Sequence, residues 1–150
     1  MQKVIFPGSF DPITNGHVDI LKKAIPLFDK IIIAVGVNSN KSYMFTLEER
    51  IKFITKTFSD EKKINVLHYN GLTVDFCKKH KIQYILRGLR NPTDFEFERR
   101  IAYTNKSVSN IETIFLLTSI ENSYISSSIV REFIINKGDY SSFVPKSVKF

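Results

Sequence analysis

The run Ile31-Ile32-Ile33-Ala34-Val35 constrains the fold of this chain more than any other segment. A continuous apolar run rich in β-branched side chains predicts a strand. The run does not alternate with polar residues, which indicates that both faces of the strand are covered. A strand of this kind is typical of a parallel sheet that lies between two layers of helices.

The rest of the chain alternates strand-like and helix-like patterns. Strands are predicted at 3–6, 30–37, 64–69, 83–87 and 113–118, and helices at 17–28, 47–58, 72–80, 93–107 and 127–136. This alternation predicts an α/β protein with a Rossmann-like, doubly wound, parallel five-stranded sheet and helices on both faces. Because no repeat, linker or low-complexity stretch divides the chain, we expect residues 1–150 to form one domain.

Several helix ends are marked by specific residues. Thr46 followed by Glu49 predicts a capping box, and Pro92 suits the first turn of the fourth helix. Pro26 falls in the last turn of the first predicted helix, where it would kink the helix or end it early. Gly138 is predicted to be the C-cap glycine of the last helix.

The charge balance limits the choice of partners. The chain has 22 Lys and Arg residues against 15 Asp and Glu residues, a formal net charge of +7. Such a protein attracts anions, so that phosphorylated metabolites and nucleic acids are both candidates at this point. A single cysteine, Cys77, predicts packing rather than a disulfide and favours a reducing cytoplasm. No apolar segment approaches the roughly 20 residues that span a bilayer, so we expect a soluble protein.

The loops that follow the five predicted strands share a chemical character. In an open parallel sheet, ligands bind beyond the carboxyl ends of the strands. In chain order these loops contain Gly8, Ser9 and Asn15-Gly16-His17; Ser39-Asn40-Lys41; Asn70-Gly71; Arg87-Gly88-Leu89-Arg90; and Ser123 with Ser126-Ser127-Ser128. Arginines, a lysine, a histidine, glycines and a serine-capped helix start predict a site for several phosphate groups.

Each of these residues also has a purely structural interpretation. Gly8 could shape a turn, Ser126 could cap a helix, and His17 could cap or pack. Their coincidence at one edge of the sheet favours the binding interpretation. His68 and His80 lack that support and are interpreted as structural. The pattern offers no zinc-ligand spacing and no G-x-S-x-G motif of a hydrolase.

Two segments resemble the signatures of the nucleotidylyltransferase superfamily. Thr14-Asn15-Gly16-His17 is similar to its T-x-G-H motif, and the segment from Ile125 to Arg131 is similar to its I-S-S-S/T-x-x-R/K motif. Within the superfamily, PGSFDPITNGH, FTLEER, RGLR and YISSSIVRE most resemble the bacterial phosphopantetheine adenylyltransferase family, and the likeness extends along nearly the whole chain.

The resemblance implies a reaction in which ATP and 4'-phosphopantetheine give dephospho-coenzyme A and pyrophosphate. The substrate phosphate attacks the α-phosphorus of ATP in line, without a protein nucleophile or general base. The resemblance further implies a cytoplasmic homohexamer, feedback inhibition by coenzyme A, and Mg²⁺ that accompanies ATP. Because magnesium often relies on phosphate oxygens and water, we expect no dedicated protein ligands for the metal.

The resemblance also implies roles for individual residues. The expected catalytic residues are His17, Lys41 and Arg90, and those that bind phosphopantetheine are Ser9, Lys41, Thr73 and Arg87. The expected ATP contacts are Ser9, Phe10, His17, Gly88, Leu89, Arg90, Glu98, Ser123, Tyr124, Ile125, Ser126, Ser127, Ser128 and Ile129. His17 is expected to stabilise charge in the transition state, while a role for Arg131 is left open.

Two alternatives remain at this stage. A related transferase could use another phosphorylated substrate, such as nicotinamide mononucleotide, since Lys41 and Arg87 predict a terminal phosphate and not its organic part. A basic module that binds RNA or DNA is the second alternative. The chain has no RGG tract, RNP-like motif or zinc finger, so we expect no nucleic-acid partner.

Overall fold

The computed structural model describes residues 1–150 and shows strands alternating with helices. The strands are β1 (Lys3–Gly8), β2 (Lys30–Val37), β3 (Ile64–Asn70), β4 (Tyr84–Leu89) and β5 (Glu112–Leu117). The helices are α1 (Asn15–Ala24), α2 (Leu47–Thr57), α3 (Thr73–His80), α4 (Pro92–Ser109) and α5 (Ser127–Ile135), with short 3₁₀ turns at Ile120–Asn122 and Ser141–Phe143. None of the helices has the length and apolar character required to cross a membrane.

The five strands are parallel and lie in the order β3-β2-β1-β4-β5. The predicted Rossmann-like α/β fold is therefore confirmed. From β1 the chain builds outward to β3, and it then returns to place β4 on the other side of β1. The loops after β1 and β4 consequently leave the sheet in opposite directions, and the crevice between them is the usual ligand position in such sheets.

Strand β2 is buried on both faces, as its apolar run predicts. Ile31 and Ile33 belong to the larger core cluster, which includes residues of α1, α2 and α5. Ile32 and Ala34 point to the opposite face and belong to a second cluster that includes Cys77 of α3. Two helix layers thus cover the sheet, and the free thiol of Cys77 is part of the packing.

The ends of two helices follow their sequence signals. Thr46 Oγ1 accepts a hydrogen bond from the N–H of Glu49 at 3.2 Å, and Glu49 Oε2 accepts one from the N–H of Thr46 at 2.8 Å. This pair is the predicted capping box of α2. Helix α1 ends at Ala24 rather than near residue 28. Pro26 explains the early end, because it has no N–H to continue the helical hydrogen bonds.

The predicted C-cap role of Gly138 is wrong. The residue with the left-handed backbone after α5 is Lys137, with φ of 58°. The N–H groups of Lys137 and Gly138 donate to the carbonyls of Ile134 and Phe133 at 3.1 and 2.8 Å, the pattern of a Schellman motif. Gly138 therefore occupies the following position, where a Cβ would lie 3.0 Å from the Phe133 ring.

The predicted boundary of β4 is also wrong, because the strand continues to Leu89. Arg87, Gly88 and Leu89 consequently lie in the strand and not in the loop after it. A Cβ built on Gly88 would lie 2.7 Å from Cγ1 of Ile20 in α1. The missing side chain of Gly88 lets α1 pack closely on the sheet, although Gly88 also lines the cavity described below.

We expect Gly88→Ala to lower the free energy of unfolding by about 1–3 kcal/mol, because the new methyl group overlaps Ile20. Gly36→Ala is the matched control, since the nearest atom to a Cβ at Gly36 lies at an ordinary 3.7 Å. The measurement is urea unfolding of both variants. In an Ile20→Ala background the overlap is removed, so Gly88→Ala should lower the free energy of unfolding much less. Equal losses at both glycines would contradict the packing explanation.

Candidate active site

Two adjoining cavities open at the carboxyl ends of β1 and β4. The first cavity has a volume of about 360 Å³ and extends towards β3 and α4, and the second has a volume of about 340 Å³ and extends towards α1 and α5. The residues that line both are Pro7, Gly8, Ser9, Lys41, Arg87 and Glu98. A molecule in one cavity would therefore meet a molecule in the other at this shared wall.

His17 is fixed at the start of α1 by a capping box with Thr14. The N–H of Thr14 donates to Nδ1 of His17 at 3.0 Å. Because a backbone N–H can only donate, Nδ1 must accept, and the proton of the neutral ring is on Nε2. The ring of Phe10 packs edge-on against His17 with centroids 5.0 Å apart. The imidazole is thus held in one orientation with Nε2–H as its donor.

The surroundings of His17 keep the ring neutral. Burial lowers the pKa of His17, and the positive charges of Arg87 and Arg90 lower it further, to about 4. The ordinary histidine pKa is about 6.5. At neutral pH, His17 is therefore a neutral hydrogen-bond donor on the wall of the second cavity and not a proton acceptor at Nδ1.

Lys41 and Ser9 meet at the shared wall. Nζ of Lys41 donates to Oγ of Ser9 at 3.2 Å. Lys41 belongs to the loop after β2, and Ser9 belongs to the loop after β1. The ammonium group also lies 5.6 Å from the centre of the Tyr43 ring. This arrangement places one positive charge within reach of ligands in both cavities.

Arg87 forms a bidentate ion pair with Glu98 across the shared wall. Nε and Nη2 of Arg87 donate to the two carboxylate oxygens at 2.9 and 2.6 Å, and Nη1 donates to the Pro7 carbonyl at 2.8 Å. Glu98 is the one buried residue of α4. Of the five N–H donors of a guanidinium, these bonds leave two for a ligand. Glu98, expected to contact ATP, is therefore the group that orients Arg87.

Arg90 is oriented by Asp94, a residue that was not among the predicted site residues. Nε and Nη2 of Arg90 donate to Asp94 at 3.0 and 3.2 Å, and the N–H of Arg90 donates to the same side chain at 3.0 Å. Burial raises the pKa of Asp94, but the hydrogen bonds and charge of Arg90 outweigh it and lower the pKa. The i,i+4 spacing of Arg90 and Asp94 is the sequence feature from which this ion pair could have been predicted.

The N-terminus of α5 borders the second cavity. Ser126 caps the helix by accepting a hydrogen bond from the N–H of Ile129 at 3.2 Å, and Ser127 Oγ donates to the Pro12 carbonyl at 2.8 Å. Arg131 donates to Ser128 Oγ at 3.2 Å. The first N–H groups of a helix have no intrahelical partner and carry positive potential, so this end of α5 is suited to a phosphate group.

The structure brings most of the predicted site residues to the two cavities. Thr73 lines the first cavity, and the second is lined by Phe10, His17, Gly88, Arg90, Ile125, Ser126, Ser127 and Ser128. Leu89, Ser123, Tyr124 and Ile129 line neither. Tyr124 is 59% exposed and packs edge-on against Phe143, and the Ser123 hydroxyl donates to the Ile120 carbonyl.

Arg50 is a second residue that was not among the predicted site residues. The residue is 2% exposed, and Nη1 donates to the carbonyls of Ser9 at 2.7 Å and Gly36 at 3.2 Å. The guanidinium lies 4.0 Å from the centre of the Tyr43 ring. Arg50 thus ties the loop after β1 to the end of β2. The FTLEER segment contained this residue, but nothing local showed that its arginine points inward.

The comparisons with known proteins indicate related families over nearly the whole chain. The family model for cytidylyltransferase-like proteins matches residues 5–133. The phosphopantetheine adenylyltransferase of Flavobacterium psychrophilum is 62% identical over 149 residues, which are 99% of this chain and 99% of the relative. Those of Flavobacterium johnsoniae and Nautilia profundicola are 60% and 47% identical, over 99% and 97% of this chain and 98% and 96% of the relatives. Both cavities lie within the matched length.

We expect the ring of His17 to titrate with a midpoint near pH 4, measured by NMR from its Cε1–H signal. Arg90→Gln should raise the midpoint because it removes one positive neighbour, whereas Arg99→Gln, remote from the histidine, should not. A midpoint above about 6 would contradict the proposed environment.

The same shift predicts a dependence of stability on pH. The unfolded chain binds the proton more tightly, because its histidine pKa is near the ordinary 6.5. The contribution of His17 to stability is therefore complete above pH 6.5 and declines as the pH falls towards 4. Chemical unfolding of the protein and of His17→Gln across this range measures the effect, and parallel pH profiles would contradict it.

Proposed function

Because this chain belongs to the cytidylyltransferase-like family and, within it, to the phosphopantetheine adenylyltransferases, we propose that it transfers the adenylyl group of ATP to 4'-phosphopantetheine. The products are dephospho-coenzyme A and pyrophosphate, so the reaction is a step of coenzyme A biosynthesis. The observation that carries the proposal is the wall shared by the two cavities. A transferase that joins two phosphorylated substrates must hold them against each other at such a point.

In the proposed complex, ATP occupies the second cavity and phosphopantetheine the first. The phosphate of phosphopantetheine lies at Lys41 and at the free N–H groups of Arg87, with Ser9 between the substrates. Its organic arm extends along the half of the first cavity that Thr73, Ile101 and Ala102 line. Leu89, Ser123, Tyr124 and Ile129 belong to the ATP site only as neighbours of residues that line the cavity.

The chemistry requires positioning and charge stabilisation rather than proton abstraction. A phosphate monoester is already anionic at neutral pH, and one of its oxygens forms a bond to the α-phosphorus of ATP. The bond from the α-phosphorus to the bridging oxygen breaks, and its electrons leave with pyrophosphate. Negative charge grows on the α-phosphoryl oxygens and on the leaving group. Fixed donors directed at those oxygens therefore lower the barrier.

Four groups supply these donors in the proposed mechanism: three side chains and the N-terminal amides of α5. His17 directs Nε2–H at an α-phosphoryl oxygen, because Nδ1 is already occupied by the N–H of Thr14. Lys41 holds the attacking phosphate and neutralises charge between the substrates. Arg90 and the N-terminal amides of α5 at Ser127 and Ser128 stabilise the leaving pyrophosphate.

We propose that Mg²⁺ enters with ATP and is held by phosphate oxygens and water. The chain contains no group of three His, Cys, Asp or Glu side chains that could hold a metal. Of the three carboxylates that line the second cavity, Glu98 and Asp94 are paired with arginines, and Asp11 accepts hydrogen bonds from the N–H groups of Met44 and Phe45. Magnesium commonly binds in this way and supplies additional neutralisation of the triphosphate.

We further propose that the protein works in the reducing cytoplasm and that it forms a homo-oligomer. The proposed contact between subunits is helix α4. Of the 18 residues of α4, only Glu98 is buried, whereas Phe95, Phe97, Ile101 and Val108 are exposed. Exposed apolar residues grouped on one helix are typical of an interaction surface. The family resemblance suggests six subunits. It also suggests inhibition by coenzyme A. Coenzyme A contains the pantetheine arm and would therefore compete with phosphopantetheine for the first cavity.

The proposed activity predicts release of pyrophosphate when the purified protein is incubated with Mg²⁺, ATP and 4'-phosphopantetheine. His17→Ala should reduce turnover by at least roughly 100-fold while ATP still binds, because a donor to the developing charge is lost. His68→Ala, on the exposed side of β3 and outside both cavities, is the matched control.

Three outcomes would contradict the proposed activity or the proposed mechanism. Turnover with nicotinamide mononucleotide but not with phosphopantetheine would identify a related transferase of different specificity. Unchanged turnover in His17→Ala would remove the histidine from the mechanism. Tight, salt-sensitive RNA binding without any transfer would instead indicate a nucleic-acid-binding module.

The proposed α4 interface predicts that Phe97→Glu reduces the molar mass in solution, because a carboxylate would be buried at a subunit contact. Thr55→Glu adds the same charge on the exposed face of α2 and should leave the mass unchanged. Light scattering after size-exclusion chromatography measures both variants. A monomeric parent protein, or equal behaviour of the two variants, would contradict the proposal.

A further inference from the structure

Asp11 is a buried carboxylate to which the mechanism above gives no role. Its side chain is 5% exposed. Oδ1 accepts a hydrogen bond from the N–H of Phe45 at 2.9 Å, and Oδ2 accepts one from the N–H of Met44 at 2.9 Å. These two amides belong to the segment between β2 and α2 that carries Lys41, whereas Asp11 belongs to the loop that carries Ser9.

The segment around Lys41 has few other hydrogen bonds to the rest of the chain. Its backbone amides at Asn38, Asn40 and Lys41 donate to groups within the same segment. The amides of Met44 and Phe45 are those that bond outside it, and both bond to Asp11. The Lys41 side chain adds only its contact with Ser9. Asp11 therefore accepts both backbone hydrogen bonds that tie the segment to the loop after β1, in addition to the packing of Phe45 on Phe53 and of Tyr43 on Arg50.

The main chain of Asp11 holds a different element. Nη1 of Arg131 donates to the Asp11 carbonyl at 2.8 Å, and Nη2 donates to Ser128 Oγ at 3.2 Å. Nη1 also lies 4.0 Å from Oδ2. Asp11 thus stands between the Lys41 segment, held by its side chain, and the N-terminus of α5, held mainly by its carbonyl.

From this arrangement we propose that Asp11 is a positioning residue for the transfer reaction. Through the amides of Met44 and Phe45 it fixes the place of Lys41 relative to His17 and α5. Asp11 lines the second cavity, but its carboxylate oxygens accept from these two amides, so its role is to place Lys41 rather than to bind a phosphate. The inference rests on the proposed function, because it assumes that Lys41 holds the attacking phosphate in line with the α-phosphorus.

The substitution Asp11→Asn tests the side chain without changing its shape. A carboxylate offers an acceptor to each amide, whereas an asparagine offers one acceptor and turns an NH₂ group towards the other N–H. We expect kcat/KM for phosphopantetheine to fall about 10–100-fold, because a shift of about 1 Å in a positioning group has that effect. The ATP dissociation constant should change much less than this, since the main-chain bond to Arg131 is kept.

Two controls separate positioning from a general loss of stability. Thr57→Val removes hydrogen bonds to Phe53 and Ser147 at the far end of α2 and should lower stability without changing kcat/KM. In a Lys41→Ala background, Asp11→Asn should have little further effect, because both changes act on the same interaction. Full additivity of the two losses, or a similar loss in Thr57→Val, would overturn the proposal.

A measurement on the unmodified protein tests the inference even where Asp11→Asn folds poorly. Hydrogen exchange should show the amides of Met44 and Phe45 protected to the level of α2, although they lie in a loop. Exchange at the rate of an exposed loop would overturn the proposal. If these amides are protected and the parent protein does not turn over phosphopantetheine, the proposed function fails and the structural role of Asp11 stands.

Discussion

The site depends on holding several positive charges together at the end of the sheet. Such charges repel one another, and burial makes the repulsion stronger than it would be in water. The structure meets this constraint by giving each arginine a fixed acceptor: Glu98 for Arg87, Asp94 for Arg90, the Asp11 carbonyl for Arg131, and the carbonyls of Ser9 and Gly36 for Arg50. These bonds also fix the direction of the guanidinium groups, so little reorganisation is needed when phosphates arrive.

The same concentration of charge determines what His17 can do. Burial and the neighbouring arginines hold the pKa of His17 at about 4, and the N–H of Thr14 occupies Nδ1. The ring is therefore neutral and has a single donor available. A reaction whose nucleophile is already an anion needs that donor more than it needs a base. The electrostatics of the site and the requirements of the proposed reaction lead to the same role by independent arguments.

The sequence predicts the fold, and which residues lie at the site, better than it predicts which of those residues contact each other. The bounds of β2 agree because its apolar run is a local signal. The predicted loops meet at one edge because every strand is parallel. The partnership of Glu98 with Arg87 could not be predicted, since it depends on how α4 packs against β4. The packing role of Gly88 against α1 could not be predicted either, because its close neighbour, Ile20, lies far away in the sequence.

The conformation of the segment from Gly8 to His17 is explained by the packing of one aromatic ring, that of Phe10. Phe10 has φ of 49°, a left-handed backbone that is unusual for a bulky residue and that only well-packed surroundings maintain. This backbone places its ring against both Phe6 and His17, at centroid distances of 5.6 and 5.0 Å. A Cβ on Gly8 would lie 3.1 Å from the same ring, so glycine leaves room for it. Gly8 thus leaves room for Phe10, and Phe10 supports the orientation of His17, which makes the segment a packed support as well as part of the proposed phosphate site.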